Sequence, residues 1–173
     1  MFDSIGGLPL HPLLIHTAIL GVPVTLLLAL LFAFPRTRSW ARWPLPLAAL
    51  GSVVAVFLAR QSGQALASII VQPDTPVAPL INRHSQLANQ LQVMTLVLAL
   101  LAVVSAVVVG RVGGTAERRR PSTGSGRGRD LALLALLIVV AAVTAFWVYR
   151  VGDVGASAVW NPTGTQNYNA PAR

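Results

Sequence analysis

Four long apolar stretches, separated by polar segments, dominate the hydropathy pattern of this 173-residue chain. They run over residues 12–34, 44–70, 85–110 and 131–150. Each is close to the roughly 20 apolar residues that a helix needs to cross a bilayer core. None alternates with a period of two, which excludes a membrane β-barrel. The pattern predicts an all-α fold, a bundle of four transmembrane helices.

The same pattern predicts one domain. Residues 1–161 form the membrane domain, and residues 162–173 form a polar tail. The composition supports an integral membrane protein, since 54% of residues are hydrophobic and only 10% are charged, whereas soluble domains have about 25% charged residues. No cysteine is present, so disulfides and thiolate metal sites are excluded. No long-period repeat is apparent along the chain.

The formal net charge of +8 comes from thirteen arginines, with no lysine. Nine of them lie in two linkers, residues 35–43 and 111–130, and basic linkers of this kind face the cytoplasm. We therefore predict a multi-pass protein of the bacterial inner (plasma) membrane with both termini outside. Its surroundings are the lipid bilayer, and nucleic acid is not an expected partner. The Gly-rich segment 122–130 is expected to be a flexible cytoplasmic linker.

Polar residues gather in one layer of the predicted bundle. Counting ~1.5 Å per residue along each helix places these residues ~24–39 Å from its arginine-rich end. The two-thirds of the bundle nearest the arginine-rich end is almost wholly aliphatic. Ionisable residues within membrane segments are candidates for functional sites. The layer contains His11, His16, Arg60, Gln64, His84, Arg150 and Asp153.

The three histidines offer different pairings. His11 and His16 are about 140° apart around one helix, so on a straight helix they do not converge on one ligand. A pair of His16 and His84, from two helices, is the easier geometry for a metal or haem. Their counted heights differ by ~12 Å, which argues against a shared haem.

Three stretches resemble the domain-of-unknown-function 2231 family of predicted bacterial membrane proteins. They are "GLPLHPLLIH" at 7–16, "RHSQLANQL" at 83–91 and "YRVGDVGASAVWN" at 149–161. The resemblance covers residues 7–161 in order. It implies a four-helix membrane protein and no particular activity.

The chain departs from the family's pattern at acidic positions. Members often have Ser-Gly-Glu where this chain has Ser62, Gly63 and Gln64, and an acid is again missing at Gln86. Asp153 occupies a position where histidine also occurs. An Asp or His choice suits a metal ligand or a hydrogen-bond partner.

Three functions fit these observations. The first is a cofactor-binding or redox-accessory protein. It would bind haem or a metal ion through His16 or His84, since neutral imidazole ligates both. The second is a small transporter or proton-handling protein that uses the titratable layer. The third is a non-catalytic accessory subunit with a membrane-protein partner or a second copy of itself. With five acidic residues and no recognisable catalytic triad, we do not expect an enzyme.

Two structural expectations concern the polar layer. Arg60 needs a partner at its depth, and Asp153 is the best acidic candidate. We therefore expect an Arg60–Asp153 contact, direct or through water, bordered by Gln64 and His16. The small residues of segment 151–160 are expected to turn back over the helix ends as a lid.

The orientation is testable with single cysteines in place of Ser122 and Thr165. A membrane-impermeant thiol reagent applied to intact cells is expected to label Thr165→Cys and to leave Ser122→Cys unlabelled, because the arginine-rich linker stays in the cytoplasm. Permeabilised cells, in which both variants should react, provide the control. Labelling of Ser122→Cys alone would reverse the orientation.

Overall fold

The computed structural model describes residues 4–72, 75–109 and 124–166. Four of its helices are long and apolar enough to cross a membrane, which confirms the predicted fold class. The elements in chain order are β1 (Ser4–Ile5), β2 (Leu8–Pro9), α1 (Leu10–Ala33), α2 (Arg38–Ala41), α3 (Pro44–Ile70), α4 (Ala78–Val108) and α5 (Gly124–Trp160).

The long helices extend beyond the predicted spans. α5 includes residues 124–130, expected to be a flexible linker, and residues 151–160, expected to be a lid, so both expectations are wrong. Each glycine in a helix interior is unfavourable by roughly 1 kcal/mol relative to alanine, yet α5 continues through Gly126, Gly128 and Gly152. The end of α5 is set by Pro162, because the residue before a proline is disfavoured in the helical conformation.

The remaining described segments are short. Gly6 and Gly7, with φ of 59° and 81°, form the two-residue loop of the β1–β2 hairpin, a conformation that favours glycine. Ser122, the arginines at 111 and 118–120, and the tail at 167–173 lie outside the described residues.

The four long helices pack in a closed ring that follows the chain. α1 packs on α3, α3 on α4, α4 on α5, and α5 on α1, which places α1 and α4 on one diagonal and α3 and α5 on the other. The centre is filled by side chains such as Phe32, Leu98 and Leu137, all fully buried. Large apolar side chains cover the outside, as expected where the outer surface meets lipid.

The two halves of the bundle match position by position. Residue n of α1 corresponds to residue n + 73 of α4, and residue n of α3 to residue n + 92 of α5. Many matched positions are buried in both halves. Such pairs are Val22/Thr95, Ala29/Ala102, Leu45/Leu137, Ala49/Ala141 and Ser52/Thr144, and three of them carry the same residue in both halves.

The protein is therefore built from two similar helical hairpins, α1–α3 and α4–α5. Exchanging the hairpins exchanges the helices on each diagonal, so a pseudo-twofold axis runs along the bundle. Parallel repeats of this kind occur in membrane proteins. The repeat is not apparent in the sequence because the linkers differ in length, which gives the two helix pairs different offsets.

The match predicts equal effects at equivalent positions. Leu45 and Leu137 are both fully buried, so Leu45→Ala and Leu137→Ala should each lower the free energy of unfolding by about 2–4 kcal/mol. Leu47→Ala, at a side chain that is 68% exposed, is the control and should change it by under ~1 kcal/mol. Unfolding in denaturing detergent, followed by circular dichroism, measures all three. A small effect at only one of the two buried leucines would contradict the equivalence.

Candidate functional site

His11 lies in the first turn of α1 and is half-buried against α3. Its Nδ1 lies 2.8 Å from the carbonyl oxygen of Ala59 and 3.3 Å from the hydroxyl oxygen of Ser62. A carbonyl oxygen can only accept, so Nδ1 carries the hydrogen and donates it. In the neutral ring Nε2 then holds a free lone pair.

His84 repeats this arrangement in the second half of the bundle. It lies on α4, is half-buried, and its Nδ1 donates to the carbonyl oxygen of Val151 on α5 over 3.0 Å. Its Nε2 is again the nitrogen with the free lone pair in the neutral ring.

A glycine lies four residues after each accepting carbonyl: Gly63 follows Ala59, and Gly155 follows Val151. A Cβ at Gly63 would lie 2.9 Å from Cε1 of His11, and a Cβ at Gly155 would lie 3.0 Å from Cε1 of His84. The contact at Gly63 is too close for a carbon atom, and the contact at Gly155 is tight enough to require the ring to move. The absence of a side chain at both positions therefore allows the imidazoles to lie where they do.

The two histidines face each other across the diagonal of the bundle. Their ring centroids are 6.3 Å apart, and the ring planes are inclined at 87°, an edge-to-face arrangement. Each half of the repeat contributes one ring, so the pair straddles the pseudo-twofold axis. We call His11 and His84 the histidine pair, and the end of the bundle that holds it the histidine end.

The structure corrects the pairing expected from the sequence. His16 is exposed, and its Nδ1 donates to the carbonyl oxygen of Pro12 in its own helix over 2.7 Å. The rotation of about 140° between His11 and His16 turns His16 away once His11 points inward. The favoured pair of His16 and His84 is thus replaced by His11 and His84.

The direct form of the expected Arg60–Asp153 contact is absent: no ion pair joins these residues, both of which are among those described. The Nε of Arg60 instead donates to Oδ1 of Asn89 over 3.0 Å, and Nη2 donates to the same oxygen. Asn89 lies on α4, which packs directly against the helix that carries Arg60. Gln64 and Asp153 are exposed, and Arg150 is half-buried.

The sequence contained a signal for the true pair. The helix count puts His11 at ~35 Å and His84 at ~39 Å from the arginine-rich ends, less than one helical turn apart. The pairing also depends on Ser62, Gly63 and Gly155, which sequence reasoning did not assign to the site. Asn89 was likewise not recognised as the partner of Arg60.

The histidine pair is a two-donor site. Among the described residues, no group of three or more His, Cys, Asp or Glu side chains is placed to hold a metal ion. An ion at this point would therefore take its protein ligands from two imidazoles, with water able to complete its coordination.

Comparison with known proteins identifies one family. A family model described as a predicted membrane protein, DUF2231, matches residues 7–166. No curated protein matches the chain, and no solved structure matches it.

The role of the two glycines can be tested by adding a methyl group. Gly63→Ala should displace the ring of His11, and Gly155→Ala the ring of His84, because the added Cβ would overlap each ring. Two-dimensional ¹⁵N NMR of histidine-labelled protein should show the corresponding ring signals shifting.

Gly51→Ala and Gly152→Ala are matched controls on the same two helices, since an added Cβ at either position meets nothing within 4 Å. Their histidine spectra should match that of the wild type. Unchanged ring signals in Gly63→Ala and Gly155→Ala would contradict the close packing described above.

Proposed function

We propose, for a chain that belongs to the DUF2231 family of predicted membrane proteins, that it binds a single transition-metal ion between His11 and His84. The observation that carries the proposal is the facing pair of imidazoles, 6.3 Å apart, each with its Nδ1–H fixed on a main-chain carbonyl. The proposed function is metal binding and not catalysis by the protein side chains.

The hydrogen bonds support the proposal because they orient the rings. A histidine that ligates a metal usually donates its other ring N–H to a carboxylate, carbonyl or water, which fixes the tautomer and the ring direction. His11 and His84 both have this second hydrogen bond already in place. Their Nε2 atoms are left as the nitrogens available to an ion.

The spacing of the rings also supports an ion. Nitrogen ligands lie ~2.0–2.1 Å from the metal, so the centroids of two imidazoles on one ion are at most ~6.4 Å apart, when the two metal–nitrogen bonds are collinear. The observed separation of 6.3 Å lies within this limit.

Copper is the ion that best fits this donor set. Imidazole suits copper, zinc, iron and nickel, and copper(II) stands at the top of the affinity order for a given nitrogen site. A site with only two protein donors has few other means of selecting a metal. The affinity order of the metals should therefore decide which ion binds.

Haem fits less well than a bare ion. A haem iron ligated by both imidazoles would place the porphyrin ring between them, whereas the histidine rings lie in edge-to-face contact. The surrounding helices also pack closely at this level, since each ring is bonded to a neighbouring helix.

We place the histidine end at the outer face of the bacterial inner membrane. The support is the basic linkers at the opposite end, which favour the cytoplasmic side. The ion would then be held at the outer surface, in the manner of an accessory protein that receives or presents a metal.

Metal titration of purified protein tests the proposal. Wild-type protein, in competition with a chelator for copper, is expected to bind one ion per chain. His11→Ala and His84→Ala should each weaken binding by at least about 10-fold, the range seen even for residues that only support a ligand. His16→Ala is the matched control and should bind as the wild type does, because its ring is exposed and bonded within α1.

The proposal has clear contrary outcomes. Equal copper affinity in wild type, His11→Ala and His84→Ala would remove the histidine pair as the site. Tighter binding of zinc than of copper would contradict the assignment of the ion. A Soret absorbance in the purified protein that is lost in His11→Ala would replace the ion with haem.

A further inference from the structure

Two buried polar groups lie in the interior of the second half of the bundle. They belong to Gln92 on α4 and Trp147 on α5. The residues that correspond to them in the first half are Ile19, whose side chain is 44% exposed, and Ala55, so the first half has no matching pair of polar side chains.

Both polar groups are buried without complete hydrogen bonding. Gln92 is 9% exposed, and its Nε2 donates to the carbonyl oxygen of Val53 over 3.5 Å. Its Oε1 has no hydrogen-bond partner among the described residues, and neither does the buried Nε1 of Trp147. An unpaired buried polar group destabilises the folded state. Here an acceptor and a donor both lack a partner in the described part of the chain.

The side chains of Gln92 and Trp147 extend toward the same height along the bundle, because their helices run in opposite directions. From the contact of His84 with Val151, Gln92 lies ~12 Å and Trp147 ~6 Å along the bundle toward the arginine-rich end. Helical side chains lean toward the N-terminus of their helix. Since α4 and α5 run in opposite directions, Gln92 leans up toward the histidine end and Trp147 leans down to meet it.

Gln92 and Trp147 also have neighbouring residues in the same part of the bundle. Trp147 packs against the buried cluster that contains Val56 and Leu91. Leu91 precedes Gln92, and Val56 lies one helical turn from Val53, the residue that accepts from Gln92. Both side chains therefore adjoin the same region of α3 and α4.

We propose that Gln92 and Trp147 hold an internal water molecule in the second half of the bundle. The water accepts the Nε1–H of Trp147 and donates one hydrogen to Oε1 of Gln92. Water is the ligand of choice because a buried water typically satisfies two to four polar groups that otherwise lack partners. Its second hydrogen gives this half of the bundle an exchangeable proton below the histidine pair.

This water site does not depend on the metal proposal, since neither residue belongs to the histidine pair. It gives one part of the bundle interior the hydration that proton movement would require. The corresponding residues of the first half, Ile19 and Ala55, have apolar side chains.

NMR of protein labelled with ¹⁵N-tryptophan tests the site in lipid nanodiscs. The indole signal of Trp147 is assigned by its loss in Trp147→Phe. In the wild type it should show a cross-peak to water, and Gln92→Leu should abolish that cross-peak. Ile19→Leu, at the equivalent position of the other half, is the matched control and should keep it.

The unfolding temperature of Gln92→Leu gives a second test, because the two cases shift it in opposite directions. If a water joins the two groups, the substitution leaves the indole unpaired and lowers the unfolding temperature. If the site is dry, the substitution removes an unpaired acceptor and raises the unfolding temperature. A missing water cross-peak in the wild type, or one that persists in Gln92→Leu, overturns the proposal. His11→Ala should retain the cross-peak, so failure of the metal proposal is distinguishable from failure of this one.

Discussion

The geometry of the histidine end depends on sharing a helix carbonyl between two donors. In an α-helix the carbonyl of residue i accepts the N–H of residue i + 4, and its oxygen has a second lone pair. The Cβ of residue i + 4 leans back over that oxygen, so an imidazole can approach only where residue i + 4 is glycine. Ala59 with Gly63 and Val151 with Gly155 meet this condition in both halves. A side chain at either glycine would displace the ring that packs against it.

The fold could be predicted from the sequence further than the site could. Apolar segments of sufficient length, separated by basic linkers, were enough for four spans, since lipid permits few alternatives to a helix. The ends of α5 were missed because its glycines and small residues suggested flexibility, whereas the helix continues through them. The polar layer was found at one end, yet the choice between His11 and His16 depended on the rotation of α1, which no local pattern fixes. Arg60 was assigned a charged partner on the basis of charge alone, whereas the helix beside it offered the amide of Asn89.

The pseudo-twofold arrangement explains why each hairpin contributes one histidine to the site. Residues on a pseudo-twofold axis meet their own counterparts, so a histidine near that axis in one hairpin faces the histidine of the other. The same arrangement makes the interior layers of the halves similar, with alanines and leucines at equivalent depths. The halves are not identical, because several buried positions, such as Thr25/Leu98 and Ser62/Val154, are polar in one half and apolar in the other. Gln92 and Trp147 belong to this group of differences.

The diagonal placement of the two histidines has a consequence for biogenesis. Each hairpin consists of helices that follow one another in the chain and pack together, so each can insert in the bilayer as a unit before the bundle is complete. The contact between His11 and His84 joins different hairpins and forms only when the hairpins dock. A ligand that spans both rings binds the docked state and not the separate hairpins, and it therefore stabilises the assembled bundle by mass action. Occupancy of the histidine pair and completion of tertiary structure in the membrane are in this way linked equilibria.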